Sequence, residues 1–477
     1  MSRLIVFRNN LKTFLQKPGY IFIYLASFFG IVMIFLMPFF MTPDEGAHFY
    51  RAYQISNGGI VSENIKSTTG GMIPKELKSY IENDFYTNVL DNHQSPPLSY
   101  NKYFTNRVNL KNQTFVDFRS SAIYSPMAYI PQAIGLKAAQ VIYPSLGVMM
   151  VLARFVNLAV YILLISIAIR IAKKGKWVYV VLGLFPVAIQ QAASLSSDVM
   201  TIGISFVWIA FIINMYLQRE KISRKQWIIA LILAIGLALT KQTNIILLLP
   251  VLFVPSGIFR DIWHKFRFII SVLGVGILAI VLWLLVMKLN NYNLQISKEA
   301  LVDQTGQINF LLQHPLSVIS ILWRTYILGP WTDFYIRTMH GVFSWLTYSL
   351  PLSFTVFGYA GLLMTFMYDD TNISKLQRQD KSVKRLAIIY TLVFIISLIA
   401  LAGTLYIAWT PVSQGWVNGI QGRYFLPIIP LLIPMFMVIR EKLRITTSKP
   451  YAMGILVCII SGINLAMMLA VTYKWFY

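Results

Sequence analysis

Cysteine is almost absent from this 477-residue sequence, whose one thiol is that of Cys458. An internal disulfide is therefore excluded, and so is a metal site built on cysteine thiolates. Charge is also scarce, since 12% of the residues are charged and 57% are hydrophobic, whereas soluble proteins carry roughly 25% charged residues. Together with a mean hydropathy of +0.62, this composition excludes a soluble protein and predicts an integral membrane protein.

Acidic residues are fewer than basic ones, 18 against 41, and the net charge is +23. The basic residues form short clusters between apolar runs. This pattern disfavours a nucleic-acid surface and follows the positive-inside rule for the cytoplasmic ends of membrane spans. Six clusters hold 24 of the 41 basic residues: Arg3, Arg8, Lys12, Lys17; Arg170, Lys173, Lys174, Lys176; Arg219, Lys221, Arg224, Lys225; Arg260, Lys265, Arg267; Lys375, Arg378, Lys381, Lys384, Arg385; Arg440, Lys442, Arg444, Lys449.

No convincing internal repeat or low-complexity linker divides the chain, so the sequence predicts one all-α membrane domain over residues 1–477. The lack of a repeat also counts against inverted-repeat transporter folds. A span needs about 20 apolar residues. With the basic clusters and the N-terminus in the cytoplasm, eleven spans are expected: 19–41, 149–171, 177–193, 198–217, 227–240, 245–259, 268–287, 348–367, 386–408, 422–439 and 450–473.

Two long segments are expected outside the cytoplasm. Residues 42–147 form the first outer loop between spans one and two, and within it 121–147 is an amphipathic juxtamembrane helix. Spans two to seven then occupy 149–287. The second outer segment, 288–347, carries Trp323, Trp331 and Trp345, which is typical of short helices at headgroup depth. Spans eight to eleven occupy 348–473.

The stretch MTPDEGAHFYRAY at 41–53 places Asp44, Glu45 and His48 where the first span meets water. Ionisable groups at a bilayer boundary are costly and usually mark a functional site. If the segment after Pro43 is helical, Asp44 and His48 lie one turn apart on one face. The structural alternative is a helix N-terminus, with proline in the first turn and acids that complement the helix dipole.

Other polar residues are expected at the outer ends of later spans: Asp198 in SLSSD, Lys241 in LTKQTN, and Gln421, Arg423 and Tyr424 in QGRYFLP. Each has a structural alternative, because Asp198 can cap a helix, while Lys241 and Arg423 can reach lipid headgroups, as can Arg154. Their convergence on one side favours a site. Carboxylates accept protons or bind divalent cations, and Lys and Arg bind phosphate.

These motifs resemble the GT-C superfamily of integral-membrane glycosyltransferases. The sequence looks closest to a bacterial branch of predicted membrane proteins with PDE-x-x-H after the first span and QGRYF-x-P near the end. Here the motifs read PDEGAH at 43–48 and QGRYFLP at 421–427, and further similarities occur in YSPMAYIP at 124–131, ARFVN at 153–157, SSD at 196–198 and TKQTN at 240–244. The resemblance covers residues 19 to about 440.

The resemblance implies a GT-C-like fold in the bacterial plasma membrane and transfer of a sugar, with inversion, from a polyprenyl-phosphate carrier to an extracytoplasmic glycan acceptor. Asp44 would be the base, in a catalytic group with Glu45 and His48. Asp198 and Glu45 would hold the acceptor or a divalent cation. Lys241 and Arg423 would grip the donor phosphate, beside the substrate-binding residues Gln421 and Tyr424.

Two departures from better-known members bear on this expectation. No large soluble domain follows the last span, and the Asp-x-Asp pair that binds metal in some relatives is missing. A Mg²⁺ or Mn²⁺ ion on Asp44 and Asp198 therefore remains an open possibility. Two other classes also stay open: a transporter or flippase for lipid-linked sugars, and an oligosaccharide polymerase or ligase.

Overall fold

The structure is a computed structural model that describes residues 12–66, 68–91, 100–292, 302–329, 331–369, 381–445 and 450–477. Six helices in these stretches are long and apolar enough to cross a membrane, so the protein is a multi-pass, predominantly α-helical membrane protein, as the composition predicts. Five residues of the basic clusters lie outside the described residues: Arg3, Arg8, Lys375, Arg378 and Lys449.

The first apolar helix, α1 (Pro18–Leu36), begins at a proline whose fixed φ suits the first helical turn. A short irregular segment separates it from α2 (Glu45–Ser56). The helix that was predicted after Pro43 is therefore present. Asp44 is its N-terminal flanking residue, with a left-handed φ of 64°.

The rest of the predicted first outer loop combines short helices with a small antiparallel sheet. The sheet has the order β1-β2-β3, and it adds strands that the all-α prediction did not include. The elements are β1 (Glu63–Ile65), β2 (Thr68–Pro74), α3 (Lys75–Ser79), a π-helical segment (Tyr80–Asp91), α4 (Asn101–Thr105), β3 (Gln113–Asp117), α5 (Arg119–Ala122), a 3₁₀ turn (Pro126–Tyr129) and α6 (Ile130–Ile142). A helix thus lies where a juxtamembrane helix was predicted, and α6 packs along the next long helix.

The central part of the chain is a bundle of apolar helices. Its elements are α7 (Leu146–Ile171), α8 (Lys176–Gly183), α9 (Pro186–Ala192), α10 (Asp198–Leu217), α11 (Arg224–Thr240), 3₁₀ segments (Gln242–Phe253 and Ser256–Ile258) and α12 (Ile262–Leu289). Helix α7 packs against α1, α6 and α10. Helix α10 is the most enclosed of the six candidate spans, because 89% of an 18-residue apolar stretch of this helix is buried inside the protein.

The C-terminal part begins with short helices and ends with long ones. Its elements are α13 (Gln304–Gln313), α14 (Ser317–Trp323), a π-helical segment (Arg324–Leu328), α15 (Trp331–His340), β4 (Val342–Phe343), β5 (Tyr348–Ser349), α16 (Leu352–Tyr368), α17 (Lys381–Trp409), 3₁₀ turns (Gly422–Phe425 and Ile429–Leu432), α18 (Ile433–Lys442) and α19 (Pro450–Phe476). Helix α17 packs on α18 and on the Gln242–Phe253 segment.

The structure does not confirm eleven full-length spans. The six long helices are α1, α7, α10, α12, α17 and α19, and the other five predicted spans fall on shorter or broken elements. Prolines remove backbone donors and interrupt helices: Pro186 begins α9 after α8 has ended, and Pro250 lies inside a 3₁₀ segment. Helices α11 and α16 have 17 residues each, about 26 Å of helix, somewhat less than the hydrocarbon core.

Candidate functional site

Seven of the eight predicted site residues line one cavity of about 240 Å³: Asp44, His48, Asp198, Lys241, Gln421, Arg423 and Tyr424. They come from the start of α2, the start of α10, the end of α11 and the Gly422–Phe425 turn. The C-terminal end of α17 closes another side. These helix ends are opposite the ends that carry the basic clusters, because Arg170 lies in the last turn of α7 and Arg224 opens α11.

Arg423 lies between the two carboxylates of the cavity. Its Nη2 donates to Asp44 Oδ2 at 3.0 Å, and its Nε is 3.7 Å from Asp198 Oδ2. Its Nη1 donates to Gln191 Oε1 at 3.1 Å. The Arg423 side chain is only 5% exposed, whereas that of Asp44 is 46% exposed. The guanidinium is therefore an enclosed cation, and Asp44 is the carboxylate that is more open to the cavity.

A glycine places Arg423 in this position. The backbone N–H of Gly422 donates to Thr338 Oγ1 at 2.7 Å. A Cβ on Gly422 would lie 2.0 Å from the carbonyl oxygen of Tyr335 and 2.4 Å from the amide nitrogen of Met339. Only glycine lets this turn approach α15 so closely, and the next residue then points its guanidinium into the cavity.

Lys241 is the second cation of the cavity. Its Nζ lies 4.2 Å from the centre of the Tyr424 ring, and no carboxylate of the described residues lies within 4.0 Å of it. Burial lowers the pKa of the Lys241 amine below its ordinary value, and the charge of Asp198 partly offsets this effect. A lysine in such surroundings is stabilised by an anionic ligand that brings its own charge.

His48 lies beside Asp44 on the wall of the cavity. Its Nδ1 is 2.9 Å from the hydroxyl oxygen of Tyr129. Burial lowers the pKa of His48, and the charges of Asp44 and Asp198 oppose that shift only in part. The imidazole is therefore neutral at neutral pH, which leaves it able to accept or relay a proton.

Glu45 does not line the cavity. Its carboxylate is fully buried and paired with the equally buried Arg154, with 2.8 Å between Oε2 and Nη2. The other Arg154 donors bind Glu45 Oε1 and the carbonyl oxygens of Ile34, Met37 and Pro38, so that all five N–H groups are used. The expectation that Arg154 reaches lipid headgroups is wrong, because Glu45 and the end of α1 satisfy it inside the protein.

The Glu45–Arg154 pair connects the parts of the chain that carry the cavity. Glu45 Oε1 also accepts from the backbone N–H of Leu195 at 3.2 Å, in the turn before Asp198. Asn157 Nδ2 donates to the Ser194 carbonyl at 2.7 Å, and Gln132 Nε2 donates to the Ser196 carbonyl at 2.8 Å. This buried network fixes the distance between the starts of α2 and α10.

Sequence reasoning missed several residues of this region, among them Gln191, Asn157, Tyr129 and Trp409. For Asn157 a signal was present, because Arg154 and Asn157 in ARFVN are three residues apart and share a helix face. Gln191 and Tyr129 had no such signal. Their partners, Arg423 and His48, are 232 and 81 residues away.

Asp44 and Asp198 fit a divalent cation poorly. Both carboxylates face the guanidinium of Arg423, which supplies the positive charge that a metal ion would bring. No group of three or more His, Cys, Asp or Glu residues that could hold a metal ion occurs in the described part of the chain. The side chains that could take part in acid–base chemistry in the cavity are those of Asp44, His48 and Asp198.

Comparison with known proteins gives one match. A family model described as "Predicted membrane protein (DUF2142)" matches residues 27–432, a range that extends from α1 to beyond Arg423 and contains all seven cavity residues. No curated protein and no solved structure matches. By the extent of that match, the chain belongs to the DUF2142 family of predicted membrane proteins.

Proposed function

We propose that the protein is a glycosyltransferase that moves a sugar from a polyprenyl-phosphate carrier to a hydroxyl group of a cell-envelope polysaccharide or lipid-linked glycan. The observation that carries the proposal is the single cavity in which Asp44, Asp198, Lys241 and Arg423 meet. The resemblance of PDEGAH and QGRYFLP to GT-C enzymes supports the same reaction. With the basic clusters in the cytoplasm, an eleven-span topology opens this cavity on the extracytoplasmic side of a bacterial plasma membrane.

The donor phosphate suits the two cations. Lys241 has no carboxylate partner within 4.0 Å in the described structure, and Arg423 offers a planar set of donors that matches phosphate oxygens. As the bond between the anomeric carbon and the phosphate oxygen breaks, negative charge develops on the leaving phosphate. Fixed cations in a poorly hydrated cavity stabilise that charge strongly.

The acceptor hydroxyl needs a group that takes its proton. Asp44 is the more exposed of the two cavity carboxylates, and it lies beside the neutral imidazole of His48. In this scheme the hydroxyl oxygen attacks the anomeric carbon, the phosphate leaves with the bonding electron pair, and the proton passes to Asp44. In-line attack inverts the anomeric centre. Asp198 accepts a hydrogen bond from the acceptor.

The position of the charges favours an enzyme over a transporter or flippase. A transport path requires ionisable groups at several membrane depths and access from both sides. Here the charged side chains of the cavity gather at one end of α10, α11 and α17. A polymerase or ligase would use similar outer residues, and it differs in transferring a whole oligosaccharide from a diphosphate carrier.

The proposal predicts that Asp44→Asn lowers sugar transfer from a polyprenyl-phosphate-linked sugar by about a hundredfold or more, because asparagine cannot accept the proton. Reconstituted full-length protein and a labelled donor provide the measurement.

Lys241→Ala is expected mainly to raise the KM for the donor. Asp333→Asn is the matched control, since Asp333 is an acid of α15 that is paired with Arg337 and 65% exposed.

Two outcomes would contradict the proposal. Full transfer by Asp44→Asn would remove the assigned base, and the absence of transfer in the wild-type protein with any polyprenyl-phosphate sugar would remove the reaction class. Addition of a chelator tests whether sugar transfer requires a divalent cation. Because the guanidinium of Arg423 pairs with the carboxylates of Asp44 and Asp198, sugar transfer is expected to persist in EDTA.

A further inference from the structure

Several side chains that line the cavity are polar or aromatic and carry no charge. A second, smaller cavity of about 20 Å³ shares Asp198, Lys241 and Arg423 with the main one. Trp409, Gly419 and Gln421 line only the main cavity, together with Ser120 and Thr404. Lys241 and Arg423 thus line both cavities, whereas the indole, hydroxyl and amide groups line only the main one, together with Asp44 and His48.

Trp409 presents a fixed aromatic surface on the wall of the main cavity. It is the last residue of α17 and is 38% exposed. Gly419 adopts a φ of +80°, and a Cβ there would lie 2.5 Å from Cδ1 of the indole. The main chain of the 409–421 loop thus packs directly on one edge of Trp409 and restricts its orientation. No described residue accepts a hydrogen bond from its Nε1.

Gln421 adds an unused acceptor to the same wall. Its Oε1 is buried and has no hydrogen-bond partner within the described structure. A buried carbonyl oxygen without a partner is unfavourable, and a ligand hydroxyl group in the cavity would satisfy it. An aromatic face, an indole N–H donor and an amide acceptor match a ring with apolar C–H faces and hydroxyl edges.

We propose that Trp409 and Gln421 form a binding site for an uncharged sugar ring, which stacks on the indole and donates a hydroxyl hydrogen bond to the amide oxygen. This inference rests on the proposed glycosyl transfer and assigns its sugar-binding wall. The ring belongs either to the acceptor glycan or to the donor, and both present the same chemistry. Trp409 and Gln421 themselves carry no charge, so an uncharged ring is expected to bind them more tightly than an anionic sugar such as a uronic acid.

The alternative role for Trp409 is a membrane-interface anchor, since tryptophans concentrate at headgroup depth. Trp416 is a matched control, because it belongs to the same loop and is 37% exposed. It does not line the cavity, and its Nε1 already donates to Asn418 at 3.1 Å. Interface anchoring would give the two tryptophans similar importance, whereas sugar stacking involves Trp409 alone.

The test is saturation-transfer NMR on the full-length protein in nanodiscs, with methyl glucoside, methyl galactoside, methyl mannoside and methyl glucuronide as probes. Wild-type protein and Trp416→Ala are expected to bind at least one uncharged glycoside. Trp409→Ala is expected to weaken that binding by about tenfold, the value of one aromatic contact. Trp409→Phe retains part of it, and Gln421→Leu weakens it without lowering the thermal unfolding midpoint.

The source of the ring is determined by competition. Displacement of the glycoside by carrier-linked sugar, but not by bare polyprenyl phosphate, assigns the ring to the donor. Persistence of glycoside binding with the donor bound assigns it to the acceptor.

Three results would overturn the site: no binding of any uncharged glycoside, equal losses in Trp409→Ala and Trp416→Ala, or binding of the glucuronide as tight as that of methyl glucoside. Binding requires no transfer, so the two proposals can fail separately. Normal transfer by the wild-type protein and by Trp409→Ala, with no glycoside binding by the wild-type protein, removes the sugar site alone. Glycoside binding in a wild-type protein that transfers nothing removes the reaction alone.

Discussion

Arg423 is the residue on which the charge balance of the cavity depends. It has three partners, Asp44, Asp198 and Gln191, at distances from 3.0 to 3.7 Å. Lysine could not replace it, because a single ammonium group lacks the planar spread of donors that reaches all three. Two carboxylates opposite two cations bring the side-chain charges of the cavity close to balance, so that one added phosphate leaves only a small imbalance.

His48 leads to a prediction about pH. Burial lowers its pKa, so the unfolded chain takes up a proton on His48 as the pH falls through about 6.5, whereas the folded protein resists this protonation. Stability is therefore complete above that pH and is lost as the pH falls below it, by up to about 1.4 kcal/mol per pH unit.

The thermal unfolding midpoint of wild-type protein is expected to decrease between pH 7.5 and pH 5.5, and His48→Gln is expected to decrease less. His314→Gln, at an exposed histidine of the outer surface, is the control and should follow the wild type. An identical acid sensitivity in His48→Gln would show that other groups dominate.

At the scale of elements, the cavity exists because helix termini from distant parts of the chain are held close together. The Glu45–Arg154 pair connects the end of α1, the start of α2 and the turn before α10. Buried ion pairs contribute little net stability when compared with apolar replacements, yet removal of one partner leaves an uncompensated charge. The main role of this pair is therefore to fix the relative positions of these segments and not to add net stability.

Arg154→Met is expected to destabilise the protein by about 3–5 kcal/mol, because the Glu45 carboxylate loses its partner inside the protein. The double variant Glu45→Gln/Arg154→Met should lose less than the sum of the two single variants. Thermal or denaturant unfolding in detergent measures both. Arg119→Ala breaks a partly exposed pair with Asp117, and its cost should stay near 1 kcal/mol or below. If the stability loss of the double variant equals the sum of the losses of the two single variants, Glu45 and Arg154 are not energetically coupled.

The Gly422–Phe425 turn leads to another prediction at this scale. Gly422→Ala places a methyl group against the backbone of α15, which must shift the turn and displace Arg423. We expect a loss of about 1–3 kcal/mol of stability together with weaker donor binding. Gly462→Ala is the matched control, since a Cβ there meets nothing within 4 Å. Unchanged donor binding in Gly422→Ala would separate the glycine from the site.

At the scale of the whole molecule, the segregation of charge predicts the orientation of the protein in the membrane. The cavity lies at the helix ends opposite the basic clusters, and the positive-inside rule predicts that those clusters face the cytoplasm, where anionic lipid attracts them. The small sheet and short helices of the first outer segment lie on the cavity side, where Ser120 and Tyr124 line it. Acceptor access is thus expected from outside the cell.

This orientation predicts the accessibility of introduced thiols. In a background where Cys458 is replaced by serine, Asn57→Cys in the first outer segment should react with an impermeant maleimide on intact cells. Glu220→Cys, between α10 and α11, should react only after the membrane is made permeable. Both native residues are exposed in the structure. The reverse pattern would invert the topology and place the cavity in the cytoplasm.

Much of the architecture could be predicted from residue types whose free-energy cost in a membrane does not depend on their tertiary contacts. Scarce charge and long apolar runs dictate membrane helices, because a bilayer core tolerates few charges and demands internal hydrogen bonding. Pro43 and the acids after it predicted the start of α2. The structure does not confirm the eleven-span count, and hydropathy does not register how prolines such as Pro186 and Pro250 break a segment into short turns.

The sequence by itself determined that this is a membrane protein with acids and bases at one set of helix ends. Only the tertiary structure decided their separate tasks. Asp44 and Glu45 are neighbours, yet Asp44 faces the cavity and Glu45 is buried against Arg154. Successive positions at a helix start point in different directions, and each carboxylate acquires its role from an arginine that is 379 or 109 residues away, a relation that no local pattern encodes.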